Sequence, residues 1–270
     1  MIKRIGSRTI GFEETPSIIG YASVAGKKES EGPLGEHFDK IIYDSYNGLD
    51  TYEDAESSMQ AEALTLALQK SGANAEEIDC VFAGDLLNQC ISSSFGLRDF
   101  NIPYLGQYGA CSTMAQGLIM SSVFVESGAA NKAACATSSH FCSAERQYRF
   151  PLEYGGVRTP TAQWTTTAAG SCVLGKAKKG AGIVRATVGK IIDLGIKDAN
   201  NMGAAMAPAI GIIRPYPKGK TGRCHLHFHE SIIRRRFFTN CGAHHNFEVS
   251  GKFKAENQKR RSRILVDYEV

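Results

Sequence analysis

Short apolar runs alternate with helix-length stretches across residues 1–208, and that alternation limits the chain to a layered α/β architecture more tightly than any single motif does. Residues 18–24 are the first predicted strand. Thr51 can then cap a helix on which Ala55, Met59, Ala63 and Leu66 recur at helical spacing until Gly72 stops it. Residues 78–83 read as a buried strand, a short helix near 92–99 leads to a strand at 103–107, and a longer helix runs from 112 to about 127, closed by Gly128. Strands at 133–137, 171–175 and 183–189 complete the series, with a long polar and aromatic excursion over 140–167. The predicted order is βαβαβα followed by three strands, giving a mixed, mostly parallel sheet with helices on its faces.

At Ala209 the character changes. Residues 1–208 carry 18 Lys+Arg against 22 Asp+Glu, whereas 209–270 carry 13 against 5 and hold five of the seven histidines, with no strand or helix period. A folded domain needs local pattern and overall fold to agree. Residues 1–208 are therefore read as one domain, and 209–270 as an atypical basic tail: either out-of-frame residues or a genuine basic appendage. Cys224, His225, His227, His229, Cys241, His244 and His245 are zinc-competent, but their spacing matches no standard finger or ribbon. Arg234, Arg235, Arg236 and the basic residues of 259–263 lack an aromatic platform or a nucleic-acid-binding fold. Neither a metal nor a nucleic acid is expected.

With 43% apolar and 21% charged residues the chain is globular in composition, and it shows no secretory segment and no apolar run of the roughly 18 residues that a membrane span needs. Eight cysteines without a CxxC pair suggest reduced thiols. One of them stands out. In residues 108–117 (YGACSTMAQG), Cys111 falls between a predicted strand and the first turn of a helix, where unpaired N–H groups and the helix dipole favour a thiolate. That is the setting of an acyl-accepting nucleophile, and equally of a small hydrophobe in a tight turn.

Several motifs resemble one family. GDLLNQ (84–89), GACST (109–113), ATSSH (136–140), AERQYRFPLEYGG (144–156), DLG (193–195) and NMGAAMAPA (201–209), with GPLGEHFDK (32–40), are similar to the stage V sporulation protein AD family across nearly all of residues 1–209. The resemblance implies a thiolase-like fold of two similar halves, of which the second is missing here. It implies a dipicolinate (pyridine-2,6-dicarboxylate) binding component of the spore dipicolinate uptake channel. Such a component sits peripherally on the cytoplasmic side of the spore inner membrane, beside other channel subunits. Cys111 falls at the thiolase nucleophile position, in a pocket reused for dipicolinate. An acyltransferase using Cys111 and a non-catalytic scaffold subunit are the alternatives. No cofactor is implied, and calcium enters only as part of a calcium–dipicolinate ligand. A homodimer would cover part of the face left by the missing half.

The residues are compatible with a flat aromatic dianion, whose two carboxylates call for amides, hydroxyls, guanidinium groups and a helix N-terminus. Asn88 and Gln89 follow one strand, Cys111 and Ser112 another, and Ser138, Ser139 and His140 a third; Arg146 and Arg149 come next. All but the arginines lie just past strand C-terminal ends, where open α/β sheets bind ligands. Each has a plainer role as well: turn closure for Asn88 and Gln89, loop satisfaction for the serines, pairing with Glu145 and Glu153 for the arginines. His140 is the candidate base or a structural hydrogen-bonding group. Asp85 would repel a dianion, so it orients neighbouring donors or touches a calcium ion carried by the ligand.

Overall fold

The structure, a computed structural model, describes residues 2–148, 165–176, 180–189, 195 and 223–228. In chain order its elements are β1 (Ile2–Ile5), β2 (Thr9–Phe12), β3 (Ser17–Gly26), α1 (Lys27–Ser30), β4 (Lys40–Ile42), α2 (Tyr52–Ser71), β5 (Cys80–Gly84) and α3 (Ile91–Leu97). They continue with β6 (Tyr104–Gly106), α4 (Thr113–Ser127), β7 (Lys132–Ser139), α5 (Phe141–Tyr148), β8 (Ala168–Gly175), β9 (Ala181–Val188) and β10 (Arg223–Phe228).

The long helix begins and ends where its sequence says. Thr51 Oγ1 accepts from Asp54 N at 3.1 Å, and Gly72 closes the helix at φ 70, a left-handed conformation that favours glycine. Gly128 closes α4 in the same way at φ 79. Ala55, Met59 and Ala63 are buried as their spacing predicts, but α2 buries Glu56 and Gln60 as well. Gly20 of β3 is what admits α2 so closely: a Cβ there would lie 2.4 Å from Ala67 O.

Among the described residues ten strands join one sheet in the order β1-β2-β9-β3-β8-β7-β5-β6, with β10 beside β9 and β4 beside β3. Helices cover both faces. Alternation along β5 sends Val81 and Ala83 into the cluster that contains Leu64, Ala67 and Leu68 of α2, and Cys80 and Phe82 into the one that contains Met114, Leu118 and Val125 of α4.

The sheet is mixed, as expected, but its parallel part is smaller than the sequence suggested. β5 pairs parallel with β6 and β7, and β4 with β3, whereas β7–β8, β8–β3, β3–β9, β9–β2 and β2–β1 are all antiparallel. A short apolar run reads the same in either direction, so the sequence carries no sign of this. Four strands went unforeseen. β1 is masked by Lys3 and Arg4, β2 pairs with it as a hairpin, β4 is only three residues long, and β10 pairs parallel with β9 inside the supposed patternless tail. Cys224, Leu226 and Phe228 alternate there with His and Arg, which is strand periodicity. The rest of residues 209–270 lies outside the described residues.

One directional fact positions everything that follows. Because β3 and β7 both run against β8, the strands β3, β4, β7, β5 and β6 all point the same way, and their C-terminal ends open on one edge of the sheet.

Candidate functional site

At that edge the loops after β5 and β6 are stitched together. Gln107 N donates to Ala83 O at 2.8 Å, the Cys90 thiol donates to Gln107 O at 3.1 Å, and Tyr108 Oη donates to Asn88 Oδ1 at 3.1 Å. Gly84 makes room for this approach, since a Cβ on it would sit 1.9 Å from Gln107 O. The same loops hold three non-glycine residues in left-handed backbone: Gln89 at φ 61, Cys90 at φ 54 and Ala110 at φ 45. Such conformations are disfavoured by ~1 kcal/mol or more each, and persist where the surroundings over-determine them.

Cys111 is half-buried in the single 3-10 turn Ala110–Ser112 that leads into α4. Ser112 beside it is buried, and its hydroxyl donates to Gly109 O at 2.7 Å, within its own turn. Asn88 and Gln89 are exposed at the rim. Asp85 is buried; it accepts from Leu87 N at 2.8 Å, from Ser93 N at 2.8 Å and from Ser93 Oγ at 2.6 Å, so it orders the turn after β5. Burial raises its pKa, and those bonds oppose the rise.

The loop after β7 is equally committed. Ser139 Oγ donates to Thr166 O at 2.6 Å. His140 is 1% exposed, with Nε2 2.9 Å from Ser45 O and Nδ1 accepting from Cys142 N at 3.2 Å. A nitrogen that accepts from N–H carries no proton, so the ring is neutral with its hydrogen on Nε2. Burial lowers its pKa, which agrees with a neutral ring. The Tyr52 ring stacks on it at 5.3 Å. The Arg146 side chain and Arg149 lie outside the described residues.

Beneath His140 lies a residue the sequence reading passed over. Glu56 is fully buried; its Oε1 accepts from Ser138 Oγ at 3.0 Å and its Oε2 from Ser143 Oγ at 2.7 Å. Burial, then the nearby Asp85 carboxylate, push its pKa up to about 8, against the pull of the serines. The available signal was a Glu and a Gln four residues apart, flanking the apolar stripe of α2.

Beside His140 opens a cleft of about 340 Å³, at the ends of β3, β4 and β7. Lys27 and Lys28 bring positive charge to it, Tyr43 and Phe141 bring rings, and Thr165 and Thr167 bring hydroxyls; Glu29, Glu31 and Asp44 also line it. The structure thus divides the expected residues. His140 lines the cleft, whereas Cys111, Ser112, Asn88 and Gln89 belong to the neighbouring loops of the same edge and are not among its lining residues.

Comparison with known proteins gives one strong match and several distant ones. The model of the family stage V sporulation protein AD matches residues 6–216. Stage V sporulation protein AD of Bacillus subtilis (strain 168) is 41% identical over 208 residues, covering 77% of this chain and 62% of that protein. The chain therefore spans less than two thirds of that relative's length. Among solved structures, 3-oxoacyl-(acyl carrier protein) synthase III of Xanthomonas oryzae pv. oryzae is 16% identical, over 61% of this chain and 57% of that one, with a TM-score of 0.42. The corresponding synthase of Aquifex aeolicus VF5 is 16% identical, over 61% and 55%, at 0.42. Cerulenin-bound OleA of Xanthomonas campestris is 13% identical, over 61% and 57%, at 0.41.

Proposed function

Because this chain belongs to the stage V sporulation protein AD family, we propose that it works in spore formation as a binder of dipicolinate on a thiolase-like scaffold, and not as an acyltransferase. The observation that carries the reading is the commitment of His140, whose two ring nitrogens are both engaged, with Ser45 O and with Cys142 N. A thiol nucleophile needs a base in hydrogen-bond reach or a strongly lowered pKa, and an imidazole locked in this way is no base for Cys111.

What the edge offers instead is a surface for a flat dianion. It has the crevice at strand C-terminal ends, two lysines for carboxylates and aromatic rings for the pyridine face, with Glu29, Glu31 and Asp44 on the same wall opposing the lysines' charge. On this reading the protein is a peripheral component of the spore dipicolinate uptake channel, held at the cytoplasmic side of the inner membrane by other subunits. Among the described residues no helix is long and apolar enough to cross a membrane, which is consistent with that role. Calcium would arrive, if at all, with the ligand.

The melting temperature of the purified chain with and without millimolar dipicolinate tests the reading, because a ligand that binds only the native state must raise it. A rise that benzoate does not reproduce supports the proposal; a cooperative melt that dipicolinate leaves unmoved removes it. Ala110, strained at φ 45 immediately before Cys111, favours a second reading in which this thiol is acylated. Incubation with an acyl-thioester followed by intact mass separates the two: an acyl adduct on Cys111, with release of the thiol carrier, identifies a transferase.

A further inference from the structure

Glu56 makes contacts that no sequence motif accounts for. Its carboxyl takes hydrogen bonds from two serines that stand on either side of His140: Ser138, at the end of β7, and Ser143, in the first turn of α5. One side chain on α2 thereby holds both ends of the loop that presents His140, Phe141 and Cys142 to the cleft. Two further buried polar atoms belong to neighbouring side chains. Gln60 lies one turn further along α2 and donates through Nε2 to Gly84 O, which leaves its Oε1 buried with no hydrogen-bond partner among the described residues. Ser92 lies close enough to Glu56 to lower its pKa, yet its Oγ is likewise buried and meets no partner in hydrogen-bonding geometry.

We infer that Glu56 is the positioning residue of this edge: a neutral carboxylic acid that spans the β7–α5 loop through Ser138 and Ser143 and keeps its single proton for the unpartnered Gln60 Oε1, one turn further along α2. The inference deepens the binding reading and rests on it only for the consequence at the cleft. A carboxylate accepts and cannot donate, so an ionised Glu56 could take a bond from the Ser92 hydroxyl but would offer Gln60 Oε1 nothing, and it would face the Asp85 carboxylate in a dry interior. The neutral acid removes both problems with a single proton. The titratable groups around it are Asp85 after β5, His140 and Cys142 after β7, and Tyr52 on its own helix. Of these only Asp85 acts on it by charge, and it does so in the direction that retains the proton. The pKa of about 8 agrees with this assignment and sets where the device releases: the loop is held at neutral pH and loosened in mild alkali.

The test is hydrogen exchange on the full chain without ligand, read at the amides of Phe141, Cys142 and Ala144, which bond to Thr167 Oγ1, His140 Nδ1 and His140 O respectively. Protection, corrected for intrinsic exchange, is expected to fall at least tenfold between pH 6.5 and pH 9 in the natural chain. It is expected to stay level in Glu56→Gln, whose amide can donate and accept like the neutral acid. Protection in the natural chain that does not change over this range overturns the inference, and so does a Glu56→Gln variant that loses protection in parallel. Should that variant not fold, the profile of the natural chain alone still decides. Dipicolinate affinity across the same range is a separate arm. An absence of binding at every pH removes the binding reading, while the ligand-free exchange profile still decides the role of Glu56.

Discussion

The Ser143 hydroxyl donates to Glu56 Oε2 at 2.7 Å, joining the first turn of α5 to α2 across 87 positions of sequence. Both residues are almost wholly buried, so the bond is made out of contact with water. Removing the hydroxyl in Ser143→Ala takes one of two serine donors from a buried carboxyl and leaves a gap the size of the lost hydroxyl. The expected loss of stability is about 1–3 kcal/mol, the usual range for orphaning a buried polar group. Urea unfolding of both proteins at one pH measures it, and a change under ~0.5 kcal/mol would show that the bond contributes little.

The pH dependence of stability has a definite sign. Folded Glu56 keeps its proton up to about pH 8, whereas its ordinary pKa of 4.5 applies once the chain unfolds. Between those values the folded state binds more protons, so stability is fullest below 4.5 and declines as pH rises through 8. His140, with its pKa lowered by burial, acts with the opposite sign, but only below its ordinary 6.5. Asp85, raised by burial, acts in the same direction as Glu56. From pH 6.5 to 8 the unfolding free energy should therefore drop by about 2 kcal/mol, at roughly 1.4 kcal/mol per pH unit. Urea midpoints at several pH values trace the decline, and the slope should flatten in Glu56→Gln.

Much of this organisation is visible in the sequence, and the invisible part has a common cause. The cap at Thr51 and the stops at Gly72 and Gly128 are local events, and they fall where the residues place them. So do the cores of β3, β5, β7, β8 and β9, with their ends within three residues of those expected. The site loops could be located because they follow strands, which is likewise a local reading. Glu56 could not be found that way. Its burial depends on Ser138 and Ser143, 82 and 87 residues distant, and on Asp85, so nothing near it in the chain distinguishes it from a surface glutamate. Strand direction is also a long-range property, and for that reason the antiparallel centre around β8 stayed hidden.

Gly84 has no tolerance for a side chain. It precedes Asp85, and a methyl group would fall 1.9 Å from Gln107 O and 2.8 Å from Thr113 Cγ2. Gly84→Ala must push the β6 loop away from β5, breaking the contacts that carry Asn88 and Tyr108. The expected cost is about 3 kcal/mol, at the upper end for overpacking a tight contact. Thermal melts of the variant should show a clearly lowered midpoint, while Gly48→Ala, whose Cβ meets nothing within 4 Å, serves as an open-space control strained only by its φ of 72.

The two readings of the edge part company at Lys27, Lys28 and Cys111. If a dianion binds in the cleft, Lys27→Gln with Lys28→Gln removes two charges from its wall, while Cys111→Ala alters a loop that does not line it. Exposed charge pairs are each worth ~1 kcal/mol or less, so the double lysine variant should bind dipicolinate roughly tenfold more weakly. The alanine variant should keep its affinity within about twofold, since tenfold corresponds to ~1.4 kcal/mol and no direct contact is lost. Salt should weaken binding to the natural chain and have less effect on the lysine variant, because screening acts on the charges that were removed. Isothermal titration of the three proteins at two salt concentrations separates the cases. Loss of binding in Cys111→Ala with none in the lysine variant would move the ligand from the cleft to the turn before α4, where Ser112, Asn88 and Gln89 are its neighbours.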